Sequence, residues 1–470
     1  MPVKIQKTAF EQFLTHYPGF RGIEGNGVVV GFEKVSIDSR TLAAGDLFVA
    51  LRGERHDGHD FVYQAWQRDA VAVVVEQSWF QHQQEKPENL SRPVIVVHNT
   101  LDFLQQIAAW HRRQFDIPVI GLTGSNGKTT TREMIASLLA TRFRVFRSEG
   151  NKNNHIGLPL MLLELTPNVE IAVIEMGTNH PGEIALLSGI TQPTAGVVTN
   201  IGKGHLGFFG SLHNVYQEKV SLLDAVPAEG PVFINMADPL LRHYPREGKH
   251  SITVGVTPDC DVYGEIVSRD DQGCITFRLN NRIDVPLQIP GAHQFMNALL
   301  ASAVALHYGI TEDEISETLG EFTPASQRME VLEKNGVRII NDAYNANPDS
   351  MRAAVDYISN LKGVSGKRVL VLGDMLELGE FSEVEHRQLG EYIASGNIDY
   401  VLLYGPYAQY IRLGIQNSGG ETPVCFHYQR HYDITRQLNR ILQPGDVLLL
   451  KGSRGMRMEK ILYGLLEQGA

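Results

Sequence analysis

The residues with the clearest chemistry lie between Pro118 and Met134. The apolar run Pro118-Val-Ile-Gly-Leu122 reads as a buried strand, and Glu133-Met-Ile-Ala-Ser-Leu-Leu-Ala140 has helical spacing. Between them stands Thr123-Gly124-Ser125-Asn126-Gly127-Lys128-Thr129-Thr130-Thr131. Glycines at a strand-to-helix turn let backbone N–H groups point inward around anionic oxygens. Lys128 adds a compact positive charge, and the Thr129 hydroxyl at the helix N-terminus can ligate Mg2+. This is the chemistry of a phosphate cradle. A tight turn that merely carries Gly-Lys-Thr is the plainer alternative, but it leaves the agreement of strand, loop and helix unexplained. Leu122 occupies the position where the general NTPase pattern has its first glycine, so the loop is a variant of that pattern.

Three further polar residues follow apolar runs or a helical pattern. Glu175 ends Ile171-Ala-Val-Ile-Glu, His205 comes just past Ala195-Gly-Val-Val-Thr, and Lys219 falls on the helical stretch Ser211 to Leu223. Each has an ordinary explanation as a helix cap, a structural imidazole or a solvated lysine. Parallel strands, however, bring their C-terminal ends to one edge of a sheet. Thr129, Glu175 and His205 could then meet around Mg2+ and a γ-phosphate.

The elements that must position these residues fall into three stretches. The first ~110 residues hold short strands at Val35, Gly45 to Leu51 and Val71 to Val75, with a helix from Phe61 to Gln67. Ser39, Arg40 and the charged loop Arg52 to Asp60 are either a solvated surface or a grip on an anionic small molecule, since Arg can fork onto phosphate oxygens. From Ile117 strands alternate with helices, which predicts a parallel sheet, and short alternating runs between Ser251 and Pro290 suggest β-hairpins. Asn297 sits near the start of the next helix and could present its amide to a base. Beyond the junction Phe322-Thr-Pro-Ala-Ser-Gln327, parallel strands are expected at Val337, Arg368, Tyr400, Val424 and Val447. They are separated by polar loops at 342–350, 373–380 and 451–455. None of these loops has the Gly-x-Gly-x-x-Gly fingerprint, which disfavours a dinucleotide site. Gly150 to Gly157 is an amide-rich loop.

At 470 residues the chain has room for about three domains. A formal net charge of −11 argues against a nucleic-acid or anionic-membrane surface as the main partner. Cys260, Cys274 and Cys425 lack metal-ligand spacing, and no run approaches the ~18 apolar residues of a membrane span. A cytoplasmic protein with reduced thiols is expected.

The order of these segments, across all three stretches, resembles the Mur ligase family, the ATP-dependent amide-forming ligases of peptidoglycan precursor synthesis. Thr123-Gly-Ser-Asn-Gly-Lys-Thr-Thr130 is similar to the family's ATP loop. The resemblance implies an α/β fold of three domains. These are a small α/β UDP-substrate domain (1–112), a central P-loop ATPase-like parallel-sheet domain (113–324) and a C-terminal Rossmann-like ligase domain (325–470). It further implies that Gly124, Ser125, Asn126, Gly127, Lys128, Thr129 and Thr130 bind ATP with Asn297, Arg328 and Asp342. Lys128, Glu175, His205 and Lys219 would be catalytic. Two Mg2+ ions would be held by Thr129, Glu175, His205 and an N-carbamylated Lys219. Ser39, Arg40, Asn345, Asn347 and Lys451 would bind substrate, the last three carried on a hinged C-terminal lid with Asp342.

Within the family, Ile37-Asp-Ser-Arg40, Asp57-Gly-His59, Glu175 to His180, Asp342 to Pro348, Leu372 to Leu378 and Lys451 to Gly455 are similar to one member in particular. That member joins D-alanyl-D-alanine to UDP-N-acetylmuramoyl-tripeptide through an acyl phosphate, and so serves cell wall biogenesis, cell shape and division. The tetrapeptide Asp-Asn-Pro-Arg, typical of the member that adds the third amino acid, does not occur here. Gly207, Val220-Ser221 and Gln327 depart from residues frequent in the family. A monomer that neither binds nucleic acid nor inserts in a membrane is expected, the last two from the charge and the lack of a long apolar run. A third-residue muropeptide ligase, a folylpolyglutamate synthetase and a non-catalytic nucleotide-binding module are the alternatives.

Overall fold

Three sheets organise the chain in the computed structural model, which describes residues 5–25, 31–82, 92–324, 326–419 and 422–467. Residues 1–4, and Ala325 in the junction read from the sequence, lie outside the described residues. Internal contacts group the chain into two units. One comprises 1–121, 143–178 and 182–195, and the other 122–142, 179–181 and 196–470.

The first unit holds strands β1 (Phe20–Glu24), β2 (Val35–Ser36), β3 (Leu47–Val49), β4 (Ala72–Glu76) and β5 (Val94–Val97), ordered β1-β5-β4-β3-β2. Only β1 runs antiparallel. Alternation sends Leu47, Val49 and Val74 to one face, and Phe48, Val73 and Val75 to the other. Both faces are covered, so the strands read as continuous apolar runs. Phe10 and Phe13 from the helix Lys7–His16 and Phe103 from the helix Thr100–Arg112 fill the first face. The Asn99 side chain starts the second of these helices by accepting from Asp102 N at 2.8 Å. The same unit contains β7 (Val145–Arg147) and β8 (Ile171–Glu175), which pair in parallel.

In the second unit, β6 (Val119–Thr123), which begins in the first unit, ends at the phosphate loop, and β9 (Ala195–Val198) is followed by Thr199, whose N–H donates to Thr123 O at 2.9 Å. β10 (Pro231–Asn235), β11 (His250–Gly255) and β12 (Val262–Arg269) continue in parallel, then β13 (Cys274–Leu279) and β14 (Ile283–Pro290) turn back antiparallel. The hairpins expected over 251–290 are therefore present from β12 onward. β11 instead joins the parallel part, because alternation alone does not distinguish the two pairings.

The third sheet comprises β15 (Glu330–Lys334), β16 (Val337–Asp342), β17 (Arg368–Gly373), β18 (Tyr400–Tyr404), β19 (Val424–Tyr428) and β20 (Val447–Lys451), in the order β15-β16-β20-β17-β18-β19. All five expected strands form and pair in parallel. The half-exposed edge strand β15 is added antiparallel to β16. Among the described residues no helix is long and apolar enough to cross a membrane.

Candidate active site

The phosphate loop is held in shape by the chain that follows β9. Gly124 and Gly127 adopt φ of +152° and +76°, which L side chains rarely enter. Both also sit where no Cβ fits: at Gly124 it would lie 1.8 Å from Thr199 Oγ1, and at Gly127 2.2 Å from Asn297 Oδ1. Thr199 Oγ1 donates to Asn126 O at 2.6 Å, and Asn126 N donates to Asn200 Oδ1 at 3.0 Å. Ser125 Oγ and the Gly202 backbone bond reciprocally. Gly127 then starts the helix Lys128–Leu139, one turn earlier than the apolar spacing suggests, so Lys128 and Thr129 stand in its first turn. The Lys128 ammonium donates to Gly124 O at 2.7 Å, which keeps its charge at the loop.

Two more of the expected residues gather here. Lys219, on the helix Leu212–Ala225, is almost wholly buried. Burial, and after it the nearby positive charge of Lys128, hold its amine well below the usual lysine range, against the opposing pull of Glu218. His205 adopts φ +59°, an uncommon left-handed conformation for a non-glycine residue, at the start of the short helix Leu206–Phe209. Its Nδ1 lies 2.6 Å from Glu377 Oε2, which comes from the loop after β17. That hydrogen-bonding partner, opposed by desolvation, holds the Glu377 carboxyl below the usual range, and the charge of Lys128 contributes. Sequence reasoning placed Glu377 in a polar loop but assigned it no role.

The loops of the third sheet meet the same phosphate loop. Asn347 caps the helix Pro348–Ser359 through Ser350 N, and its Nδ2 donates to Asn126 Oδ1 at 2.7 Å. Asp349 Oδ2 accepts from Lys203 N at 2.7 Å. Lys451, buried at the end of β20, donates to Asp342 and to Asn345 O. Both charges are felt by the His293 imidazole, which desolvation pushes down. The Arg328 guanidinium stacks 3.8 Å above the Tyr344 ring. Asn297 is buried, bonded to Gln294 Oε1 and packed against Gly127. It thus supports the loop from behind, a task its place on the helix Gln294–His307 did not suggest.

The remaining candidates belong to the first unit. Glu175 ends β8 as expected; its N–H donates to Ser148 Oγ and its Oε1 accepts from Asn153 Nδ2 at 2.8 Å. Ser39 is buried with its hydroxyl on Gln64 Oε1. Arg40 is exposed, and Asp38 already occupies its fork at 2.9 and 2.8 Å.

Mg2+ fits these donors in a particular way. Among the described residues no three His, Cys, Asp or Glu side chains converge closely enough to hold a metal by themselves. Mg2+ characteristically binds through one or two protein groups together with substrate phosphates. A hydroxyl in the first turn after the phosphate loop suits an ion that travels on a nucleotide.

Three family profiles match the chain: the Mur ligase family catalytic domain over 32–112, the Mur ligase middle domain over 122–305, and the Mur ligase glutamate ligase domain over 327–454. The UDP-N-acetylmuramoyl-tripeptide--D-alanyl-D-alanine ligase of Bacillus subtilis is 39% identical over 92% of this chain and 93% of its own length. The chain belongs to the Mur ligase family. The Escherichia coli ligase of the same name is 33% identical over 95% of this chain and 96% of its own. Among solved structures, MurF from Acinetobacter baumannii superposes with a TM-score of 0.87 at 30% identity, over 99% of this chain and all of that one. MurF from Thermotoga maritima in complex with ADP gives 0.81 at 29% identity, over 93% and 98%. The three-domain α/β architecture of the family is therefore present, and the protein is a ligase of that family.

Proposed function

We propose that this ligase joins D-alanyl-D-alanine to UDP-N-acetylmuramoyl-tripeptide, converting ATP to ADP and phosphate and completing the UDP-muramoyl-pentapeptide precursor of peptidoglycan. The observation that carries the reading is the gathering of Lys128, Lys219 and His205 with the third-sheet loops at one phosphate loop. The names of the similar enzymes supply the choice of amine and acceptor.

A carboxylate and an amine do not condense at neutral pH, so the carboxylate must first be activated. An oxygen of the tripeptide carboxylate attacks the γ-phosphorus, ADP leaves, and an acyl phosphate forms. The neutral amine of D-alanyl-D-alanine then attacks the carbonyl, phosphate departs, and the nitrogen loses a proton. The backbone N–H groups of residues 124–130 and the Lys128 ammonium would bind the triphosphate and offset charge on its oxygens in the transfer. Asn347, bonded to Asn126, would cover the loop and keep water from the activated carboxylate. Arg328, Asp342 and Asn297 are proposed nucleotide contacts, and Ser39, Arg40, Asn345 and Lys451 substrate contacts. The proposed Mg2+ ligands are Thr129, Glu175, His205 and Lys219, the last as a carbamate because an ammonium has no lone pair. When bound, Mg2+ supplies further neutralisation of the phosphoryl oxygens. The enzyme would act as a monomer in the cytoplasm, where ATP and a UDP-linked substrate are both at hand.

The test is phosphate release from ATP with UDP-muramoyl-tripeptide and a panel of amines. Release is expected only with both acceptor and D-alanyl-D-alanine. Release with single amino acids instead would reassign the enzyme to another member of the family.

A further inference from the structure

We propose that Glu377 is a positioning residue: it holds the Nδ1 side of the His205 ring, so that Nε2 is the nitrogen left to face a divalent cation. This rests on the reading of His205 as a cation ligand. Imidazoles that bind metal through one nitrogen almost always present the other to a carboxylate or carbonyl, which fixes both tautomer and ring orientation. Here Glu377 Oε2 is 2.6 Å from Nδ1. Nδ1 is buried, and the Glu377 carboxylate is the acceptor within its reach.

The surroundings are built to bring these two residues together. His205 and Glu377 both adopt the left-handed backbone region, with φ of +59° and +67°. Such conformations persist where neighbouring structure over-determines them, and here two meet at one contact. The Glu377 carbonyl accepts from Gly207 N at 3.0 Å. A Cβ on Gly207 would lie 2.5 Å from Gly379 N and 2.6 Å from Leu378 C, so the two loops touch backbone to backbone only because residue 207 is glycine. Behind the contact, Met375 N donates to His386 Nε2 at 3.0 Å and Leu376 N to Ser453 Oγ at 2.9 Å, anchoring the Glu377 loop to the third sheet. Docking of that sheet's domain thus delivers the group that readies His205, and coupling the cation site to docking follows from the geometry.

The experiment is Mn2+ titration of the full chain with ADP present, read by electron paramagnetic resonance, together with metal-free ADP affinity. Glu377→Ala is expected to weaken Mn2+ binding about 10- to 100-fold, the usual effect of removing such a partner, while leaving metal-free ADP affinity unchanged. Glu377→Gln keeps an oxygen that accepts from Nδ1–H and should recover most of the loss. Gly207→Ala leaves both side chains intact but pushes the loop away, and should reproduce the weakening. If Glu377→Ala or Gly207→Ala binds Mn2+ like the wild type while His205→Ala binds it weakly, the positioning role is overturned and the cation reading stands. Glu377→Gln as weak as the alanine variant also overturns it. If His205→Ala itself binds Mn2+ normally, the reading of His205 as a ligand fails.

Discussion

Replacing Gly124 by alanine puts the phosphate loop to a quantitative test. The new Cβ would stand 1.8 Å from Thr199 Oγ1, 3.0 Å from Thr199 Cβ and 3.1 Å from Thr199 N. Thr199 can escape the first clash only by rotating its hydroxyl away, which breaks its 2.6 Å bond to Asn126 O and forfeits about 1 kcal/mol. The backbone at φ +152° adds roughly 1–3 kcal/mol for an L side chain. Together these come to about 2–4 kcal/mol, which the loop relieves by leaving the shape that cradles phosphate. At 1.4 kcal/mol per tenfold, KM for ATP should rise about 30- to 700-fold in an ADP-release assay with both co-substrates saturating. Adding Thr199→Ala should cost less than the sum of the two single changes by roughly 1 kcal/mol, because both lose the same hydrogen bond. A Gly124→Ala enzyme with KM for ATP within twofold of wild type and unchanged thermal stability would refute the buttressed-loop reasoning.

Lys128→Ala removes the charge at the loop and should abolish ADP formation in the same assay; near-normal turnover would remove the phosphate loop from the mechanism. The buried His386 offers a pH test. Burial lowers its pKa to about 4 from the ordinary 6.5, so the unfolded chain binds the extra proton first. Stability from this residue is full above pH 6.5 and is lost as pH falls from 6.5 towards 4, by about 3 kcal/mol. Urea midpoints measured across that window should fall less steeply in His386→Gln than in wild type, and parallel slopes would contradict the assignment.

The phosphate loop was legible because its function is performed by backbone, which restricts the residue types to glycines at fixed spacing beside lysine and threonine. The central strands of the third sheet, β17, β18 and β20, were legible because strands buried on both faces are apolar almost throughout. β15 was not, since Glu330-Val-Leu-Glu-Lys334 is half-exposed and its pairing is a property of β16 rather than of its own sequence. Glu377 was visible only as one acid in a polar loop; nothing local reports that a glutamate adopts φ +67° or that it meets His205 from a distant segment. Two departures from the family pattern acquire physical meaning in the structure. Gly207 is where the Glu377 loop touches backbone, and Gln327, standing where glycine is frequent, holds φ +63°.

The activation of a carboxylate by ATP is tested most directly by following its oxygen. With UDP-muramoyl-tripeptide carrying 18O in the reacting carboxylate, ATP and D-alanyl-D-alanine, the account predicts that each phosphate released contains one 18O, transferred when the acyl phosphate breaks. Unlabelled phosphate, released in step with product, would contradict it.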